Sequence, residues 1–196
     1  MNDKLIIGIS GRAKAGKDTV ADYLIARNLV AGKVSIAASL KVLCHNLFNI
    51  PLVDMYDRKG SNTDIIISAE IANLLPGLKG RIGEYLTIRE LLQFFGTDIV
   101  RVFNNDCWIN LCINEIKAHT GSIYVVPDVR FPNEAQAIQR AGGFVIRLTR
   151  NPLDMMHITE TALDNYTGFD MIYDNADEDV MVTLENVTKL LKEKII

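Results

Sequence analysis

An apolar run that ends in a glycine-spaced loop and restarts as a helix constrains this chain more than any other feature. LIIGIS at 5–10 reads as a buried strand. Gly11-Arg12-Ala13-Lys14-Ala15-Gly16-Lys17-Asp18-Thr19 follows, with the spacing of a phosphate-binding loop: Gly, four residues, Gly-Lys. The glycines let the backbone curl until successive amides point at phosphate oxygens. The helix that opens at Lys17 adds its positive end to the same place. Lys17 itself brings a mobile charge for β- and γ-phosphates. Asp18 stands where Ser or Thr usually offers a hydroxyl to magnesium, and Thr19 comes next. Magnesium is then held mostly through waters, or the aspartate takes part directly. The alternative is a turn between strand and helix that binds nothing; a strand, this loop and a helix in order weigh against it.

The remaining pattern alternates strand and helix. Helices are expected from Lys17 to about Asn28, from Ser39 (as cap) to about Phe48, at about 106–119 with Trp108, from Pro132 to Gly142, and at 179–194. Strands are expected at 34–38, 122–128, 144–149 and 170–174. Strands that are apolar throughout imply a parallel sheet covered on both faces. Right-handed crossovers then give an α/β fold with a doubly wound parallel sheet and helices on both faces. Ligands of such sheets bind beyond the carboxyl ends of the strands. Asp128 closes one of these strands and is the natural second carboxylate for magnesium or its waters; otherwise it caps a turn. Pro127 beside it is unusual in a strand. The stretch 50–86, with Pro51, Pro76 and several glycines, reads as a surface insertion with a short helix near 66–75.

At 196 residues the chain is expected to be one domain. A net charge of -3 argues against broad nucleic-acid binding, although it leaves room for a local basic cleft. Cys44, Cys107 and Cys112 lack zinc or redox spacing and read as reduced thiols. The N-terminal apolar run is too short for a signal peptide or membrane span, so a cytoplasmic protein without membrane partners is expected.

Thr87 and Glu90 are spaced as a capping box opening a helix to Val102. At 100° per residue, Leu91, Leu92, Phe95, Ile99 and Val102 form an apolar stripe. Arg89, Gln93, Gly96, Thr97 and Arg101 gather opposite. Two guanidiniums, an amide and a glycine suit a planar anionic ligand. A solvated face is the competing reading.

Taken in order, these segments resemble the deoxynucleoside monophosphate kinases of tailed bacteriophages. SGRAKAGKDT at 10–19 is similar to that family's phosphate loop, Gly-Lys-Asp-Thr ending included. So are AASLK at 37–41, RELLQFFGTDIVR at 89–101 with Trp108, VVPDVR at 125–130, IRLTRNP at 146–152, HITETAL at 157–163 and the Asp174–Asn175 pair. The resemblance implies a fold of P-loop kinase type with a small acceptor-side insertion at 50–86 and a lid at 150–168. It implies transfer of the γ-phosphoryl group of ATP to a deoxynucleoside monophosphate, with Mg²⁺ required.

A nucleotide phosphate is already a nucleophile, so no strong general base is needed; the task is to align two polyanions and neutralise charge. On this reading Gly11, Lys14, Ala15, Gly16, Lys17, Asp18 and Thr19 hold the donor. Asp18, Thr19 and Asp128 serve the metal, and Arg150 meets the transferring phosphoryl group. Arg130 reaches either substrate phosphate. Lys41, Arg89 and Arg101 hold the acceptor phosphate, with Gln93, Thr97 and Asp98 near its sugar or base. Asn175 contacts adenine or closes a turn. His157 and Glu160 shape the lid, since no further zinc ligands stand near. Small-molecule nucleotides are the expected partners, and whether the chain works as a homodimer is left open. Rival readings are a dephospho-coenzyme A kinase, a nucleotide-dependent switch, or a scaffold with a vestigial loop. QFFGTD and Lys41 favour the nucleotide kinase, and the switch lacks its usual Ser or Thr at 18.

Overall fold

The computed structural model describes residues 4–57, 60–149, 158–174 and 180–195. Its strands in chain order are β1 (Leu5–Ser10), β2 (Gly32–Lys33), β3 (Asp64–Ile66), β4 (Tyr85–Thr87), β5 (Ile123–Val129), β6 (Phe144–Thr149) and β7 (Met171–Asp174). Chain contacts divide it into two compact units, one made of 1–36 with 109–196 and the other of 37–108.

The first unit is built on a five-stranded sheet of order β2-β5-β1-β6-β7, parallel throughout. Alternation along β1 covers both faces. Ile7 and Ile9 pack with Val20, Ala21 and Leu24 of the helix Lys17–Ala26 and with Leu184, Val187 and Leu191 of the helix Val180–Ile195. Gly8 points the other way, where an added Cβ would lie 3.0 Å from Ile138 of the helix Pro132–Arg140. A side chain there would force sheet and helix apart. That helix is closed by the buried Glu134, whose carboxylate accepts from the amides of Arg130 (2.8 Å) and Phe131 (3.0 Å).

Pro127 has a structural consequence. Gly8 is paired with Val126 but Ser10 with Val129, so β5 bulges past β1 at the proline, which has no amide to give the ladder. The second strand is shorter and earlier than the expected 34–38. It is Gly32–Lys33; Val34 still donates to Val125 O at 3.0 Å, but 36–37 form a turn. The reason is Asp128, which accepts from Ser35 Oγ (2.6 Å) and from the Ile36 amide (2.9 Å) and so takes the chain off the sheet. The following helix is Ala38–Phe48, with Ala37 rather than Ser39 at the cap and no side-chain hydrogen bond there.

The second unit has a core of its own. The stretch 50–86, expected as a surface excursion, buries Ile50, Met55, Ile67, Ile71, Leu75 and Leu86 with Cys44, Ile88 and Leu91. Its antiparallel pair β3–β4 sets Ile65 opposite Leu86. Pro51 and Pro76 stand at the starts of short helices and Gly83 in a turn, and they hid the apolar residues between them. Among the described residues no helix is long and apolar enough to cross a membrane.

Candidate active site

The phosphate loop leaves the carboxyl end of β1, which lies between β5 and β6. Two left-handed residues, Lys14 (φ 65°) and Gly16 (φ 89°), curl it. Gly16 caps the helix at Lys17 without any side-chain hydrogen bond, and a helix N-terminus opened by glycine is the kind that takes an anion. At Gly11 an added Cβ would stand 2.8 Å from Leu148 O, so no other residue lets the loop pass β6 this closely.

Lys17 is buried, 8% exposed, and its ammonium crosses the loop to donate to the carbonyls of Gly11 (2.7 Å) and Arg12 (2.8 Å). An ammonium out of water needs such partners, and a phosphate is a stronger one than a carbonyl. Lys14 is exposed and Ala15 buried, so within the loop one side chain faces outward and the other anchors it.

Asp18 and Thr19 are exposed in the first helical turn; the Asp18 carboxylate, 80% exposed, lies 3.8 Å from Lys33. Asp128 sits next to the base of the loop, because Ser10 pairs with its neighbour Val129. Arg130 follows in the short connection before Pro132. Thus the first unit brings together the loop, Asp128 and Arg130.

In the second unit the capping box at Thr87 is present. Glu90 accepts from the Thr87 amide (2.7 Å) and hydroxyl (2.9 Å), and Thr87 Oγ1 accepts from the Glu90 amide (3.1 Å). Those bonds hold the Glu90 carboxyl below its ordinary value, the Thr87 amide contributing most.

The helix then changes kind. Ile88–Gln93 is α, but Phe94–Val100 is a π-helix and Arg101–Phe103 returns to α. A wider i→i+5 turn rotates each residue by less than 100°, so the faces drift. Val102, expected in the apolar stripe, is 74% exposed, while Arg101, expected on the polar face, is 8% exposed. Gly96 is no opening for a ligand either. Its Cβ position is 2.6 Å from Leu40 Cδ2, and its carbonyl accepts from Trp108 Nε1 at 3.0 Å. That close approach sets the helix carrying Lys41 against the one carrying Gln93 and Thr97. Arg89, Gln93 and Thr97 are half-buried, Asp98 is exposed, and the Lys41 ammonium lies 4.1 Å from the Tyr56 ring centre.

A protein-family model described as deoxynucleotide monophosphate kinase matches residues 36–187. The match begins after the phosphate loop, so motif and family are separate observations that agree. The chain belongs to the deoxynucleotide monophosphate kinase family. A protein of Acanthamoeba polyphaga mimivirus, provisionally named a deoxynucleotide monophosphate kinase, is 28% identical over 188 residues, covering 87% of this chain and 88% of its own. A solved structure from Thermus thermophilus superposes with a TM-score of 0.54 at 13% identity, covering 98% of both chains, and supports the fold alone. This kinase transfers the γ-phosphoryl group of ATP to a deoxynucleoside monophosphate, giving ADP and the diphosphate.

Arg150, His157 and Asn175 lie outside the described residues, as does the Glu160 side chain. Of the segment 150–168, the part from 158 onward is a helical turn, Ile158–Thr161, and a tight bend anchored by buried Leu163. Arg147, which the sequence leaves as a strand residue, lies next to the loop. Its Nη1 donates to Ser10 Oγ at 3.0 Å, immediately before the loop. Only the pairing of β1 with β6, Ser10 opposite Arg147, reveals it.

Proposed function

We propose that the phosphoryl transfer divides between the two units of the kinase, with the donor on the first and acceptor recognition on the second. Lys17 binds the β- and γ-phosphates of ATP, leaving its two carbonyl partners for phosphate oxygens as the nucleotide enters. The loop amides of Lys14 and of Gly16 to Thr19 cradle the same phosphates, and Arg130 neutralises charge on the transferred group. Arg150 joins it there on the strength of the sequence.

Mg²⁺ fits the donor set. Asp18, Thr19 and Asp128 offer hard oxygens, and the ion ordinarily keeps waters and takes phosphate oxygens for the rest of its shell. Asp128 accepts from Ser35 and Ile36, and a carboxylate takes about four hydrogen bonds in all. When bound, the ion screens the charge between the phosphates.

Lys41, Arg89 and Arg101 hold the acceptor phosphate, with Gln93, Thr97 and Asp98 toward its sugar and base. Free nucleotides rather than nucleic acids are the partners, in keeping with the net charge of -3. The observation that carries this reading is the buried Lys17 ammonium held across the loop. ADP formation is to be assayed against each nucleoside and deoxynucleoside monophosphate in turn, with Mg²⁺ and with chelator. Turnover confined to deoxynucleoside monophosphates and abolished by chelator is expected. Equal turnover without any acceptor would point to a nucleotide-hydrolysing switch.

A further inference from the structure

Three charged groups of the first unit meet beside the phosphate loop and belong to none of the roles above. Asp164 accepts from Arg12, with Nη2 at 2.5 Å and Nε at 3.4 Å, and from Arg147 Nη2 at 3.0 Å. Arg147 in turn donates through Nη1 to Ser10 Oγ at 3.0 Å and lies 5.7 Å from the Phe169 ring centre. The side chains of Arg12, Asp164 and Arg147 are 25%, 28% and 11% exposed.

The carboxylate is not on a loose arm. Its own amide donates to Thr161 O at 3.0 Å, and Leu163 beside it is buried. On the loop side, Arg12 is the residue whose carbonyl accepts both from Lys17 Nζ (2.8 Å) and from the Ala15 amide (3.1 Å). One carboxylate therefore holds, through two guanidiniums, the residues on either side of Gly11. Isolated exposed pairs contribute little, but a forked carboxylate joining two arginines in fixed geometry is the arrangement in which such pairs count.

We propose that Asp164 is a positioning residue for the donor site: it sets the first limb of the phosphate loop, Ser10 to Arg12, against which Lys17 is aligned. The proposal rests on the donor-site reading of that loop. It ties nucleotide affinity to a segment 152 positions away in the chain, with no contact between Asp164 and the phosphates required.

The test is Asp164→Asn, which keeps shape and removes charge. Equilibrium binding of ATP and of ADP, without acceptor, is expected to weaken roughly fivefold, the scale of a partly exposed charge network. The KM for ATP should rise in parallel, while the KM for the monophosphate stays put. Asp164→Glu should recover most of the loss. High salt should shrink the gap between wild type and Asp164→Asn, because it screens the pairs. Arg147→Gln should weaken ATP similarly, and the double variant should cost less than the two singles combined. If the asparagine variant fails to fold, Arg12→Gln and Arg147→Gln, alone and combined, read the same network from the arginine side. Unchanged or tighter nucleotide binding in Asp164→Asn overturns the proposal, tighter binding meaning that Asp164 competes with phosphate for the arginines. Lys17→Ala run alongside separates the two readings: if it also leaves ATP binding and turnover intact, the donor-site reading has failed; if it alone is impaired, only the role of Asp164 has.

Discussion

The phosphate loop was read by the spacing of its residues and the helix opened by Thr87 by periodicity, yet only the first kept the geometry that reading assumed. Loop residues draw on partners close along the chain: Gly16 adopts φ 89° and Lys14 φ 65°, and Lys17 bonds carbonyls five and six residues away. The helix is constrained from outside. Leu40 presses on Gly96 and Trp108 binds the Gly96 carbonyl, in a stretch wound as a π-helix. Local chemistry transfers from sequence to structure; a helical wheel does so only while the helix stays α.

The largest effect that would test this contrast is expected at the loop. Lys17→Ala should lower kcat by about 100-fold or more, the scale of losing a charge contact to the transition state. Circular dichroism and thermal unfolding should stay close to wild type, since the side chain serves carbonyls at the mouth of the loop. Rates within about threefold of wild type would remove the donor role from Lys17.

Arg89→Ala addresses the other unit. The KM for the monophosphate should rise roughly tenfold or more, as expected for a lost charge-assisted hydrogen bond, with the KM for ATP nearly unchanged. Initial rates with each substrate varied in turn decide it. A larger effect on ATP reverses the assignment of donor and acceptor to the two units.

The smallest effect concerns the cap that starts this helix. Thr87→Ala should cost about 1 kcal/mol in thermal unfolding, the usual loss of an N-cap. Glu90 titrates below its ordinary 4.5 in the folded protein. Its contribution is therefore present above the unfolded pKa and is lost as pH falls through the folded one. The gap between wild type and variant should accordingly narrow below the ordinary glutamate value. A gap constant across that range would show that the Thr87 hydroxyl, which donates to Glu90, adds nothing beyond the cap itself.

Burial also settles the cysteines. The described structure leaves Cys44, Cys107 and Cys112 free, and burial pushes the Cys44 thiol up to about 12 and the Cys112 thiol higher still. Their reading as reduced thiols needed only their spacing; that two of them are inert needed the core around them.

What the amino-acid sequence determined alone was whatever depends on neighbours along the chain. The strands at 5–10 and 144–149, the loop that follows the first, the capping box at Thr87 and the start of the helix at Pro132 all follow from runs, glycine positions and short-range hydrogen bonds. Tertiary structure decided whatever depends on which segments lie side by side. Asp128 draws residues 35–36 off the sheet, Pro127 bulges β5, and 50–86 closes a second core. Arg147 reaches Ser10 because β6 lies next to β1. A side chain's partner across such a distance is chosen by strand order and packing, and no spacing within one segment encodes it.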